Sequence, residues 1–209
     1  MPDIYHITHI NNLSSIVRSG GLWCDAEVAQ GKVEATGIAH QHIKDRRARK
    51  VVPLPPGGKL CDYVPFYFAP RSPMLYAIHK GKVEGYQGGQ NDILHLIVSI
   101  EAIEQAGLSF VFTDGHAPMA ISKYYSELQN LDEIDWQVMR ARYWADTLED
   151  MDRKRRRQAE FLVHRFVPWH FIAQIGVRLH TTERQVGTII EQIGDPYKPS
   201  IIVRSDWYY

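Results

Sequence analysis

The sequence predicts one mixed α+β domain spanning residues 1–209, and three observations lead there. Short strand-like runs alternate irregularly with short helical runs, which fits neither a helix bundle nor a regular βαβ repeat. No internal repeat, low-complexity tract or Ser/Gly linker divides the chain. Its 209 residues, 44% hydrophobic and 23% charged, are enough to bury a sizeable core.

Asp3 to Ile10 is rich in β-branched and aromatic residues and reads as a first strand. Asn11 or Asn12 then caps a short helix with Leu13, Ile16 and Val17 on one face, ended by Gly20-Gly21. Residues 25–50 are polar and increasingly basic, and VPLPPGGKL (52–60) is a loop that cannot continue a helix. DYVPFYFAP (62–70) reads as a buried aromatic strand, and Arg71-Ser72-Pro73 opens a helix through Met74, Leu75 and Ile78. ILHLIVSI (93–100) is the clearest strand, with a short helix near 101–106 behind it.

Phe110 to Thr113 forms another strand, broken by a turn at Asp114-Gly115. The stretch 117–150 has a helical pattern that includes Ile134, Trp136, Met139, Tyr143 and Trp144. EFLVH (160–164) and Phe171 to Leu179 read as strands, and Thr182-Glu183-Arg184-Gln185 as a capping box for a helix with Val186, Ile189 and Ile190. Ile201 to Arg204 closes the pattern as a short strand.

Composition narrows the function. With 24 basic and 24 acidic residues the net charge is zero, which argues against a generally basic nucleic-acid binder but leaves room for a local basic groove. Two cysteines without a CxxC spacing argue against a disulfide scaffold or a cysteine zinc site and suit a reducing cytosol. MPDIYHITHI lacks the features of a signal peptide, and no apolar run reaches membrane-span length. The expectation is a cytoplasmic protein with no membrane association. His40 and His42 are the nearest thing to a metal motif, and HExxH, GxSxG and GxxxxGK[ST] are all absent, so no metal is expected.

Four constellations could carry chemistry. His6 and Thr8 lie two apart on the first strand and so share a face that can line a cleft, although a histidine there can equally be held by backbone groups. In PFYFAPRSPMLY (65–76) the rings suit a core, while Tyr67 could instead stack on a flat heterocycle such as nicotinamide. In RRRQAEFLV, Glu160 stands where a basic loop meets an apolar strand, so it is either exposed or held by a partner. KDRRARK (44–50) has five positive charges against one negative, and RKRRR (153–157) has five with none. Such runs are usually solvated loops, but two of them in a neutral chain suggest an anionic partner, with Trp136, Tyr143 and Trp144 available to stack on unpaired bases.

In this order, YHITHINNLSSIVRSGGL, IKDRR followed by DYVPFYFAPRSPMLY, and RQAEFLVHRFVPW resemble the DarT family of bacterial DarTG toxin–antitoxin systems, over nearly the whole chain. The resemblance implies an ADP-ribosyltransferase fold: two twisted, mostly antiparallel sheets around an NAD+ cleft, with inserted helices. It implies transfer of ADP-ribose from NAD+, as the substrate, to thymine in single-stranded DNA, through an oxocarbenium-like transition state. A macrodomain antitoxin partner removes the mark.

By the same resemblance His6 matches the NAD+-holding histidine, with Thr8 beside it, and Tyr67 matches the ring near nicotinamide. Arg71 is grouped with these cofactor contacts. Glu160 matches the catalytic glutamate, and either Arg46 or Arg47 the active-site arginine. Lys44, Arg49, Arg153, Lys154 and Arg155 would hold the DNA backbone, with Tyr143 and Trp144 stacking on bases. The loop around 145–159, with His116 or Met119, would select the base. First-strand His6 departs from transferases that carry an arginine there.

Two other readings use the same residues. One is a transferase of the same fold acting on RNA or protein, such as a relative of the tRNA 2′-phosphotransferase. The other is a non-catalytic nucleic-acid binding module in which the basic clusters matter and Glu160 does not.

Overall fold

The computed structural model describes residues 1–31, 36–38 and 40–209. Ten strands and eight α-helices are described: β1 (Asp3–His9), α1 (Leu13–Arg18), β2 (Gly21–Trp23), α2 (Asp25–Ala29), α3 (Gln41–Arg49), β3 (Tyr63–Tyr67), α4 (Pro73–His79), β4 (Ile93–Ser99), α5 (Ile100–Gln105), β5 (Phe110–His116), β6 (Tyr124–Tyr125), α6 (Trp136–Arg140), α7 (Arg153–Arg156), β7 (Ala159–His164), β8 (Phe166–Pro168), β9 (Gln174–Val177), α8 (His180–Ile193) and β10 (Ser200–Val203). The mixed α+β class of the sequence is the class observed.

Eight strands form one sheet in the order β10-β9-β4-β1-β3-β7-β5-β6, and β2 pairs with β8 in a separate ribbon. β1 runs antiparallel to β4 through seven residue pairs, but meets β3 at a single pair, Tyr5 with Tyr67. The large sheet is therefore two halves joined by a minimal ladder, which is how the expected two sheets are realised. Beyond that joint the halves can part, and a cleft opens between β1 and β3.

β4 sits inside this sheet and is buried on both faces, which is why its sequence is apolar without alternation. Leu94, Leu96 and Val98 join Ile4, Val64, Phe66 and Phe161 on the face covered by α1, α5 and α8. Ile93 and Ile97 join Ile7, Leu75, Ile78 and Trp207 on the face covered by α4 and the last residues. Burying a side chain of this kind is worth about 1.5–3 kcal/mol.

Several expectations are corrected. The stretch 117–150 is not a long helix: it holds β6, a 3-10 turn at Leu128–Glu133 and the five-residue α6, and the rest is irregular. Its aromatic residues pin irregular chain, as Trp136 Nε1 does on the Leu131 carbonyl, and do not build a helix face. Asp114-Gly115 does not end a strand, because β5 continues to His116 through a register shift between Phe112 and His116.

Asn12 makes no capping bond to α1. α8 begins at His180, so Thr182 is not its cap, and its hydroxyl donates to the Asn91 carbonyl. The strand expected over 171–179 is only Gln174–Val177, preceded by a 3-10 turn at Trp169–Phe171.

Candidate active site

Glu160 is the second residue of β7 and lies directly across the ladder from Tyr67, at the edge of the joint between the sheet halves. It is 3% exposed. A carboxylate so buried needs partners, and two are built for it. Arg47 Nη1 donates to Oε2 at 2.6 Å, and the Ala117 amide donates to Oε1 at 3.1 Å. The second contact depends on the irregularity in β5. The Thr113 hydroxyl accepts from the Glu160 amide and donates to the Gly115 carbonyl, so the chain turns and brings Ala117 onto the carboxylate.

Arg47 comes from α3, where it is buried while Arg46 and Arg49 face outward. Burial works against its charge, and the Glu160 carboxylate more than offsets this, leaving the guanidinium pKa above its ordinary value. Its Nη2 donates to the Leu60 carbonyl at 3.4 Å, and its Nε has no partner among the described residues. Arg46 makes only a 3.5 Å contact with the Pro118 carbonyl. Of the two arginines that the sequence left open, Arg47 is therefore the one against the carboxylate.

Two cavities meet here. A narrow one of about 200 Å³ runs along the parted strands and is lined by His6, Thr8, Asn12, Trp23, Arg47 and Glu160, among others. A wider one of about 670 Å³ lies beyond it, with Arg71, Tyr76, Arg142, Tyr143, Trp144 and Lys154 in its walls. Ile43, Tyr67, Met74 and His116 line both.

His6 is held by Nδ1 against the Pro65 carbonyl at 2.9 Å. A carbonyl only accepts, so Nδ1 carries the proton. Burial pushes the ring pKa down, which leaves a neutral imidazole whose Nε2 is an acceptor. Burial also lowers His116, with Glu160 opposing and Arg47 and Arg46 assisting. Burial raises the Tyr67 hydroxyl, and the Glu160 charge adds to that.

On the other wall of the narrow cleft, Asn12 holds the backbone of Thr36 through both of its groups. Its Nδ2 donates to the Thr36 carbonyl at 3.0 Å, and its Oδ1 accepts from the Thr36 amide at 2.5 Å. The same Nδ2 also donates to the Thr8 hydroxyl. Thr36, Gly37 and Ile38 line the cleft beside it. In the sequence Asn12 reads only as a candidate helix cap.

The remaining candidates divide. Tyr143, Trp144 and Lys154 line the wide cavity. Arg71 also lies there and not in the narrow cleft, with its guanidinium 4.3 Å from the centre of the Tyr209 ring. Lys44 lines the narrow cleft, whereas Arg49 and Met119 line neither.

The run 153–157 is largely committed within the fold, because acids distant in sequence meet it. Arg155 binds Asp152 and Asp114, Arg156 binds Asp135, Asp150 and Asp152, and Arg153 donates to the Tyr143 carbonyl. Residues missed by the sequence reading include Lys82, Arg142, Gln158 and Tyr209, isolated positions that only folding assembles around the wide cavity. No group of three or more His, Cys, Asp or Glu side chains stands together to hold a metal among the described residues. No helix among them is long and apolar enough to cross a membrane.

A buried carboxylate–guanidinium pair in a narrow cleft that meets a wide, partly basic one at Tyr67 and His116 suits joining two ligands at one point. Known proteins agree. A DNA ADP-ribosyl transferase of Thermus sp. (strain 2.9) is 47% identical over 206 residues, covering 99% of this chain and 95% of that protein. The structure of Thermus sp. 2.9 DarT with ADP-ribosylated ssDNA has a TM-score of 0.93 at 45% identity, over 99% of this chain and 96% of that one. The same DarT with NAD+ gives 0.89 at 44%, over 99% and 97%. A DNA ADP-ribosyl transferase–DNA ADP-ribosyl glycohydrolase fusion protein of Thermosipho africanus is 28% identical over 199 residues, 94% of this chain and 48% of the fusion. The family model described as "ssDNA thymidine ADP-ribosyltransferase, DarT" matches residues 5–209, and the chain belongs to the DarT family.

Proposed function

We propose that this chain, acting as one domain, transfers ADP-ribose from NAD+ to thymidine in single-stranded DNA, with Glu160 as its catalytic residue. The observation that carries this reading is the position of Glu160, buried in the wall of the narrow cavity beside Tyr67 and His116, which also line the wide one, with Arg47 and the Ala117 amide on its two oxygens. The narrow cleft suits NAD+, since Arg47 Nε and His6 Nε2 leave a buried donor and an acceptor uncommitted beside it. His6, Thr8 and Tyr67 would hold that substrate, with Asn12 fixing the wall opposite. NAD+ supplies the ADP-ribosyl group and releases nicotinamide.

Glu160 would do two things. Its charge stabilises the positive charge that develops on the ribose as the bond to nicotinamide breaks, an effect that grows where water is excluded. It also takes the proton from the thymine nitrogen as that nitrogen bonds to the ribose. Arg47 fixes the carboxylate rotamer. His116, held neutral and lining both cavities, can hydrogen-bond the incoming base.

The wide cavity would take the DNA strand, with Lys82, Arg142 and Lys154 near its phosphates and Tyr143 and Trp144 near its bases. A base already unpaired needs no flipping energy, which favours a single strand. A toxin of the cytoplasm paired with a macrodomain antitoxin completes the reading, and a supporting fact is that the Thermosipho protein joins its transferase to a DNA ADP-ribosyl glycohydrolase, the activity that removes such a mark. Labelled NAD+ offered with single-stranded DNA, RNA and protein acceptors tests the reading. Label should enter only thymine-containing DNA, and label in RNA or protein instead would refute it.

A further inference from the structure

Arg157 is a buried cation, 3% exposed, and among the described residues its hydrogen-bond partners are all backbone carbonyls. Nη1 donates to Val138 and Met139, each at 2.5 Å, and to Ala141 at 3.2 Å. These are carbonyls at the end of α6, where a helix leaves its last acceptors unsatisfied. Nε and Nη2 both donate to the Arg71 carbonyl, at 3.2 and 3.1 Å. Burial lowers the guanidinium pKa to about 10, which still leaves it charged at neutral pH.

Tyr209 reaches the same carbonyl. Its hydroxyl donates to Arg71 O at 3.0 Å and accepts from Trp144 Nε1 at 2.8 Å, while its ring carries the Arg71 guanidinium. The Arg71 carbonyl directly precedes Ser72, which caps α4 through the Leu75 amide. α4 supplies one wall of the wide cavity through Pro73, Met74, Tyr76 and Ala77, and Arg142–Asp146 supply another. One carbonyl thus ties the two walls together. None of Arg71, Trp144, Arg157 and Tyr209 lines the narrow cleft.

We propose that Arg157 and Tyr209 are positioning residues for the acceptor strand, fixing the Arg142–Asp146 wall against α4 through the shared Arg71 carbonyl. The inference rests on the reading of the wide cavity as the DNA site. It goes beyond that reading by separating the acceptor side from the NAD+ side: loosening the tie misplaces DNA while NAD+ still binds. A role in general stability alone would move both together.

The test compares the intact protein with Tyr209→Phe, which keeps the ring but loses the shared hydroxyl, and with Arg157→Lys, which keeps the charge but loses the fork. KM is measured for a thymine-containing oligonucleotide, and Kd for NAD+ by calorimetry without DNA. The expected result for Tyr209→Phe is an oligonucleotide KM raised about tenfold, equivalent to ~1.4 kcal/mol, with NAD+ affinity within about twofold. Arg157→Lys should show the same split or a larger one, and if it fails to fold, Tyr209→Phe decides alone. An unchanged oligonucleotide KM in Tyr209→Phe, or equal losses for both substrates, overturns the inference but not the function. An intact protein that modifies no oligonucleotide overturns both.

Discussion

The guanidinium of Arg47 lies 2.6 Å from the carboxylate of Glu160, across 113 positions of sequence, with each side chain less than a tenth exposed. Neither charge is tolerable there alone. Arg47→Ala should therefore destabilise the fold by about 3–5 kcal/mol, because it strands a buried carboxylate. Arg47→Ala/Glu160→Gln should recover part of that stability and none of the activity. Thermal unfolding of the two variants checks this, and a double variant no more stable than the single one would contradict it.

Arg46→Ala offers the contrast. Its side chain is exposed and meets only the Pro118 carbonyl at 3.5 Å, so the stability change should stay within about 0.5 kcal/mol. Equal losses of stability on replacing either arginine would remove the distinction between them.

Asn12→Ala deletes both contacts to the Thr36 backbone. If those contacts fix the wall of the NAD+ cleft, KM for NAD+ should rise about tenfold, and KM for the oligonucleotide should stay within about twofold. Steady-state kinetics with each substrate varied in turn decide the matter.

Stability should fall on acidification through the range where His95 resists its proton. His95 is fully buried between the Pro70 carbonyl and the Tyr208 hydroxyl, and burial lowers its pKa to about 4 from the ordinary 6.5. The unfolded chain binds the proton first, so the stabilisation is complete above about pH 6.5 and is lost as pH falls towards 4. The loss should be on the order of 3 kcal/mol. Melting curves between pH 8 and 4 measure it, and His95→Gln should flatten the slope in that window.

Binding of single-stranded DNA should weaken linearly with the logarithm of salt. Removing Lys82, Arg142 or Lys154 should each reduce the slope by up to about 0.7. Arg155→Ala should leave the slope alone and lower stability, because Asp114 and Asp152 already hold that guanidinium. Titrations at several ionic strengths separate the two outcomes.

What the sequence displayed and what it concealed follow from distance along the chain. β4 was plain because burial on both faces makes it continuously apolar. Glu160, at the head of an apolar strand, could equally be exposed or partnered, and only the family resemblance singled it out. Arg46 and Arg47 were indistinguishable, since only the rotation of α3 against the sheet decides which points inward. The run 153–157 looked like free charge because Asp114 and Asp135, two of the acids that neutralise it, lie 18 or more residues away. The stretch 117–150 looked helical because its aromatic spacing mimics a helix face. Trp136 instead anchors locally on the Leu131 carbonyl, Trp144 anchors on the distant Tyr209, and Tyr143 is exposed.

The central claim is that the Glu160 site joins ADP-ribose to thymidine of single-stranded DNA. It is tested most directly by weighing a short thymine-containing oligonucleotide after incubation with NAD+ and the protein. The account predicts a gain of one ADP-ribosyl group, absent with Glu160→Gln and absent when every thymine is replaced. A gain that survives Glu160→Gln in a folded protein, or one found on a thymine-free strand, would contradict it.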